Sequence, residues 1–511
     1  MNFITRAIGW VNRAAFLFII LRLAALGDLG IVWACVLAYI VLACLGWIDL
    51  WPGHRINLLH AHKPDASHLR GASMATAAAL RQMIRRRRHA STLTFGGVPV
   101  PVELEVQNVL LTGSPGTGKS TAITTALTAL RARGDQMMIA DIGGYYTQHY
   151  FQAGDVILNP LDARAVGWSP LAEMQSAWDA ETLARSIIPD EPGDRGEWRH
   201  YARVVLASVL QRLWADGGNN GQLLHLSCHA SMEELREAVT GLPAAALCAP
   251  ENARMLANIH AILASYIGGL KFLHPETGRN GFSLRRWVHE SGSGAAFFNA
   301  REDQVASLRS VIAAMADTVA IEVLSLPPSL DRRLWLILDE IHTYGRIGSL
   351  ETYLTKGRKA GGCAIVGIQA LSQLRTVYGE QEAQTLLTCL GNWLILRSAD
   401  ADTADYLSRA LGDAELHRIM ASGGTSGGGV NAGWQEQLAS DRLVMPSELQ
   451  HLPNFCGYIA LAGDYPVVPI RLKRPRVHPV VAPFVGRALP QTQPPRQAPP
   501  ASDPPPEPFA L

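Results

Sequence analysis

The segment from Val106 to Gly134 constrains the fold more than any other. A short apolar run, VQNVLLT (Val106–Thr112), leads into Gly113-Ser114-Pro115-Gly116-Thr117-Gly118-Lys119-Ser120, and a helix-forming stretch, TAITTALTALRARG, follows. This is GxxxxGK[ST] in a strand–loop–helix setting. The glycines let the backbone curl so that its N–H groups face phosphates. The helix N-terminus adds partial positive charge at the same point. Residues Gly113 to Thr121 are therefore expected to bind a nucleotide, with Lys119 reaching the β- and γ-phosphates of ATP and Ser120 ligating Mg²⁺.

A loop of this kind requires an acidic partner at the end of another strand. Leu334-Trp335-Leu336-Ile337-Leu338 supplies the strand, and Asp339-Glu340 ends it. Asp339 is the expected second Mg²⁺ site, and Glu340 the general base that polarises the attacking water. The run CAIVGI (Cys363–Ile368) ends at Gln369, which either senses the γ-phosphate and positions water or is an ordinary polar loop residue. Lys356-Gly357-Arg358-Lys359 lies between these strands, as a solvated face or as the source of an arginine finger, for which Arg358 is the suited residue. The strand QMMIA (Gln136–Ala140) ends at Asp141, which either points into the ligand crevice or turns the chain before Gly143-Gly144.

The interval from Lys119 to Asp339 is longer than a compact nucleotide domain uses. From about residue 180 to 294 it lacks β runs and reads as an inserted all-α domain. The fold expected is α/β: a RecA-like P-loop NTPase with a mainly parallel sheet and that insertion. Arg301 is either an interface or sensor residue or one half of a structural salt bridge.

Composition excludes several classes. Hydrophobic residues are 48% and charged residues 17% of 511, so the chain is not broadly disordered. Its 7 cysteines contain no CxxC pair, which argues against a zinc ribbon or a disulfide scaffold. The net charge of +1 hides an asymmetry: residues 1–100 carry 11 Lys/Arg against 3 Asp/Glu, and the rest are mildly acidic. Leu29–Ile48 is a run of 20 uncharged residues, enough at about 1.5 Å per residue to cross a bilayer core. A weaker run over Ala14–Leu26, broken by Arg22, reads as a first span, and Arg6, Arg13 and Arg55 onward place both flanks in the cytoplasm. Arg85–Arg88 is a topology signal or a contact to anionic lipid or DNA. His54, His60, His62 and His68 lack ligand spacing and read as solvated.

The organisation expected is an anchor over 1–52 (spans at about 10–27 and 29–48), a basic juxtamembrane linker over 53–90, and a nucleotide-binding domain over 91–179 and 295–474 interrupted by the all-α domain at 180–294. A disordered tail is expected over 475–511, which holds 12 of the 30 prolines. Residues 421–433, ASGGTSGGGVNAG, read as a mobile loop.

GSPGTGKS, VILNPLDARAVGWSP (Val156–Pro170), LILDE, TKGRKAG (Thr355–Gly361), GIQALSQL (Gly367–Leu374) and VMPSELQHLP (Val444–Pro453) occur in this order. With the apolar N-terminus, they resemble the type IV secretion coupling proteins of conjugation systems, of the TrwB/TraD type. The resemblance runs from the anchor to about Lys473. It implies a homo-hexameric ATPase on the cytoplasmic face of the bacterial inner membrane. Such a ring binds DNA with little sequence preference, docks a relaxase and feeds single-stranded DNA to a secretion channel. By motif position Lys119, Ser120, Asp339, Glu340 and Gln369 take nucleotide roles, and Arg358 reaches a neighbouring subunit's nucleotide. One departure is Gln107, where the family pattern has a second interface arginine. Two other readings stay open. A septal-type double-stranded DNA pump would carry more spans and a winged-helix tail, neither of which reads from this sequence. A docking receptor switched by nucleotide would not need Glu340 as a base.

Overall fold

A computed structural model describes residues 66–488 except 88, 191–195, 291, 293 and 427–428. Both expected membrane spans and most of the proline-rich tail lie outside the described residues. Among the described residues no helix is long and apolar enough to cross a membrane.

The strands in chain order are β1 (Ala66–Gly71), β2 (Ala90–Phe95), β3 (Val98–Pro101), β4 (Val109–Thr112), β5 (Gln136–Ile142), β6 (Val156–Ile157), β7 (Ala295–Ala300), β8 (Leu334–Leu338), β9 (Gly362–Ile368), β10 (Asn392–Leu396), β11 (Asp413–Ser426), β12 (Gly429–Arg442), β13 (Cys456–Ala460) and β14 (Val468–Arg471). Nine form one sheet in the order β14-β13-β10-β4-β9-β8-β5-β7-β6. Neighbours from β10 to β6 run parallel, and β13 and β14 add an antiparallel edge. The strand that feeds the phosphate loop, β4, is thus separated from the acidic strand β8 by β9 alone.

Parallel strands covered on both faces should read as continuous apolar runs, and these do. Alternate side chains enter two different cores. Leu110, Met138, Leu336 and Val366 face one layer, while Leu111, Ile139, Ile337 and Ile365 face the other. The second layer contains helix Lys119–Arg133, through Ile123, Leu127 and Leu130. Helix Val305–Ser325 covers the first face, and its core runs on into the helical segment that follows β6.

Between β6 and β7 every described element is helical, including Asp179–Ile187, Gly196–Asp216, Asn220–Cys228 and Ala253–Ile267. The two ends of this segment are fastened together by one buried carboxylate. Glu173 accepts from Trp168 Nε1 (2.6 Å), Ser283 Oγ (2.8 Å), Leu284 N (2.8 Å) and Arg285 N (2.9 Å). Beside it, Arg285 pairs with Asp179 and Glu322.

Three expectations need correction. Residues 66–90 are not a linker: Ala77–Arg86 is a helix capped by Thr76, and Leu80 and Ile84 are fully buried under the sheet. Its arginine run is partly engaged, since Arg87 makes a bidentate pair with Asp464 at 2.7–2.8 Å. The glycine-rich segment 421–433 belongs to a hairpin in which β11 and β12 pair from Asp413↔Arg442 to Ser426↔Gly429, and β11 lies beside β1. Continuous backbone pairing over 14 residues a side overrides the poor strand propensity of glycine.

The third concerns the tail. Its first part, 475–488, lies hydrogen-bonded along the body: Val480 N donates to Gln148 O (2.8 Å), Ala163 N to Val485 O (2.7 Å) and Arg487 N to Leu161 O (2.9 Å). Extended proline-containing backbone has no internal hydrogen bonds, so its free groups pair with the surface they cross. That surface is the block Val156–Pro170 together with Gln148 of the helix Tyr145–Tyr150. Its Asp162 accepts from Val485 N and from Asn299 Nδ2.

Candidate nucleotide site

The loop Gly113–Gly118 leaves the end of β4 and is held from three sides. Gly113 N donates to Ile368 O, Ser114 N to Arg397 O, and Phe455 N to Thr117 O. A Cβ at Gly113 would sit 2.7 Å from Thr117 Oγ1 and 2.8 Å from Leu396 Cβ, so only glycine fits. Gly116 and Gly118 have φ of 74° and 122°, in the left-handed region that favours glycine. Helix Lys119–Arg133 starts from Gly118 with no side-chain cap, which leaves its first N–H groups for an anion.

Lys119 is 6% exposed, and its Nζ donates to Gly113 O. Burial pulls its ammonium below the ordinary lysine value, while Asp339 and Glu340 oppose that pull. The topology brings the acids here. β8 ends at Asp339, and Ser120 Oγ lies 3.5 Å from Asp339 Oδ2. Gly367 in β9 leaves room for the pair, because a Cβ there would meet Asp339 Oδ1 and Glu340 N at 3.1 Å. Glu340 is left-handed, with φ 62°, an uncommon conformation for a side-chain-bearing residue and one found at functional sites. Gln369, at the end of β9, donates its side-chain amide to Glu340 Oε1.

Two tyrosines that no sequence motif marks complete the acidic corner. Tyr146 donates to Asp339 Oδ2 at 2.8 Å, and Tyr344 donates to the backbone carbonyls of Asp339 and Ala140. Asp141 does not open into the crevice. It is fully buried and takes bonds from Tyr146 N, Thr147 N and Thr147 Oγ1, capping the helix Tyr145–Tyr150. The turn reading of Asp141 is the one the geometry supports. Burial pushes its carboxyl up to about 6, and nearby Asp339 adds to the push. Burial raises Asp339 as well, against the bond from Tyr146.

The residues fit a Mg²⁺ ion. Asp339 Oδ1 is buried with no hydrogen-bond partner among the described residues, which leaves a lone pair free for a cation. With Ser120 Oγ beside it, the donor set is all oxygen, as Mg²⁺ prefers. Asp339, Glu340 and Asp141 crowd one corner with Lys119 as the nearby cation, so a divalent ion relieves their repulsion.

Two expected residues are not part of this cluster. Arg358 is exposed in the turn Gly357–Ala360, before the first residue of β9, whereas the site lies beyond the last. The seven residues of β9 separate the two by roughly 20 Å. Gln107 lies at the same end, accepting from Gly391 N before β4 begins. Arg301 pairs with Asp303 at 2.7 Å on the surface, the structural reading.

The profile of the type IV secretion-system coupling protein DNA-binding domain matches residues 92–473. The coupling protein TraD of Escherichia coli (strain K12) is 29% identical over 418 residues, which are 79% of this chain and 58% of TraD. This chain therefore spans less than two thirds of that relative. The plasmid coupling protein TrwB, solved in complex with the non-hydrolysable ATP analogue ADPNP, superposes with a TM-score of 0.76 at 31% identity, over 84% of this chain and 99% of TrwB. TrwB in complex with ADP and Mg²⁺ gives 0.74 at 32% identity, over 82% and 96%. With the profile covering most of its length, this chain belongs to the type IV secretion-system coupling proteins of conjugative transfer, of the TrwB/TraD type.

Proposed function

We propose that this chain is a membrane-anchored ATPase that docks a relaxase–DNA complex at a type IV secretion channel and drives single-stranded DNA through it. The observation that carries the reading is the convergence of Lys119, Ser120, Asp339, Glu340 and Gln369 at the carboxyl ends of β4, β8 and β9. A binder that used nucleotide only as a switch would need the loop and the lysine but no base.

In the proposed reaction Gly113–Thr121 cradle the phosphates and Lys119 neutralises the β- and γ-oxygens. Ser120 and Asp339 would hold Mg²⁺, which supplies charge stabilisation on the phosphates. Glu340 takes a proton from water as the water oxygen bonds to the γ-phosphorus. The bond from that phosphorus to the β–γ bridging oxygen breaks, leaving ADP and phosphate. Gln369 holds Glu340 and sets the direction of its carboxylate. Arg358 would complete the site of the next subunit in a homo-hexamer, which accounts for its distance from its own Lys119. The ring would sit on the cytoplasmic face of the inner membrane, anchored by the spans within 1–52.

The test is ATP turnover by the full chain in detergent, with and without single-stranded DNA, across protein concentration. DNA-stimulated turnover rising faster than linearly with concentration supports a ring with shared sites. Flat turnover with ATP and DNA both bound supports a docking receptor instead.

A further inference from the structure

A cavity of about 720 Å³ lies behind the catalytic loop, between Gly268–Phe272, helix Val305–Ser325, the loop after Asp339 and the helix Leu371–Thr388. Among the described residues four cations line it, Lys271, Arg309, Arg346 and Arg375, and no Asp or Glu does. Hydroxyls of Ser307, Ser310 and Thr376 are also in its wall. That size suits a nucleotide-sized group.

The cations are poorly compensated. Among the described residues Arg375 pairs with Glu380, whose carboxylate is largely exposed, a kind of contact worth little. Arg309 Nε donates to Thr343 O at 3.2 Å, and Lys271 lies over the Phe272 ring; neither makes an ion pair among the described residues. Arg346 pairs with Glu382 through Nη2, with its side chain 14% exposed, but its Nη1 is buried without a partner among the described residues. A buried guanidinium donor is rarely left unmatched. The backbone has been shaped to bring these groups together. Gly345, at φ 78°, has no Cβ, and one would lie 2.8 Å from Arg309 Cγ. Gly379, at φ 77°, breaks the helix Leu371–Thr388 beside the cavity.

One wall of the cavity is the stretch Tyr344–Arg346, six residues or fewer from Glu340. Tyr344 bonds the carbonyl of Asp339, and Arg309 bonds the carbonyl of Thr343. A ligand drawn to Arg309 and Arg346 therefore acts on the loop that carries the hydrolytic pair.

We propose that this cavity takes a backbone phosphate of single-stranded DNA, and that seating it positions the Asp339–Arg346 loop for hydrolysis. The idea rests on reading the chain as a DNA-driven ATPase and adds the site at which the strand is sensed. The shared chemistry, a nucleotide phosphate, could come from a strand or from a free mononucleotide, and the strand is favoured because the motor reading on which this site rests supplies one.

The test uses the full chain in detergent, comparing wild type with the double variant Lys271→Gln/Arg375→Gln and with Arg346→Lys, which keeps the pair to Glu382 but removes the second guanidinium arm. A fluorescent oligo(dT) reports affinity over a salt series, and ATP turnover is read with and without it. The expected result is DNA-free turnover within about twofold of wild type and oligo(dT) affinity about tenfold weaker in the double variant. The slope of log affinity against log salt should shrink by about 0.7 for each phosphate that is no longer neutralised, and DNA stimulation should disappear. Unchanged affinity and stimulation in both variants would overturn the proposal while leaving the motor reading intact. Stimulation of the wild type by dTMP equal to that by oligo(dT) would overturn the strand as ligand. A wild type indifferent to all DNA would remove the motor reading and this site with it.

Discussion

The side-chain amide of Gln369 donates to Glu340 across the gap between β9 and β8. Glu340 is held in the left-handed region, so its direction is set by backbone and by this bond together. Glu340→Gln should bind ATP as wild type does and lose turnover by about 10²- to 10⁴-fold, the range of a lost general base. Gln369→Ala keeps Glu340 but frees its side chain. It should lower kcat by about tenfold with KM little changed, the signature of a positioning residue. Steady-state turnover and nucleotide binding on the same preparations separate the two. A Gln369→Ala variant with raised KM and normal kcat would place Gln369 on the substrate instead.

Arg358 offers a sharper test, because the fold holds it at the wrong end of β9 for its own site. Lys119→Ala and Arg358→Ala should each be inactive alone. Mixed before assembly, they should recover activity, since some interfaces combine an intact loop from one subunit with an intact arginine from the next. No recovery at any mixing ratio would make Arg358 a structural or DNA-contacting cation.

The parts of this site that are legible in the sequence are those whose chemistry needs contiguous residues. Gly113–Ser120 and Asp339-Glu340 are read directly, because a curled anion loop and a strand-end acid pair each use neighbours in the chain. Tyr146 and Tyr344 are not legible: Tyr146 meets Asp339, and Tyr344 meets the carbonyl of Ala140, only because β5 lies beside β8, which is a fact of topology. Asp141 has the right place, at a strand end, and the wrong partners, since three donors of the following turn claim it. Helix Ala77–Arg86 is hidden by its arginines, although Leu80 and Ile84 at i, i+4 carry its buried stripe. The hairpin of β11 and β12 is hidden by glycines of poor strand propensity, and the docked stretch 475–488 depends on partners distant in the chain, which proline content does not reveal.

Asp141 predicts a pH dependence. Its carboxyl, ordinarily near 3.8, is pushed up to about 6 by burial, against the bonds from Thr147 and Tyr146. The folded chain therefore holds a proton that the unfolded chain has released between about pH 4 and 6. The contribution of this group to stability falls as pH rises through that window and is constant above it. A shift of this size is worth about 3 kcal/mol at most. Asp141→Asn has no such titration, so its Tm minus that of wild type should move in the variant's favour from pH 4.5 to 6.5. A difference flat across that range would mean that Asp141 is ionised throughout, with its three donors outweighing burial.

Glu173 predicts the largest effect away from the nucleotide. It is 1% exposed and takes four bonds, which tie the start of the helical segment at Trp168 to its return at Ser283–Arg285. Glu173→Gln keeps the shape but offers one acceptor oxygen where two are used, and it turns an amide N–H₂ toward backbone donors. Unmatched buried donors cost about 1–3 kcal/mol each, so a loss of about 3 kcal/mol is expected. At this chain size that should lower Tm by about 3 °C. Ser283→Ala removes one donor, leaves the carboxylate three and loses the cap on Arg286 N, so its loss should be smaller, about 1–2 kcal/mol. Differential scanning of both variants and wild type in the same detergent decides it. Equal, small losses in both would mean that the helices hold the segment in place without the carboxylate between its ends.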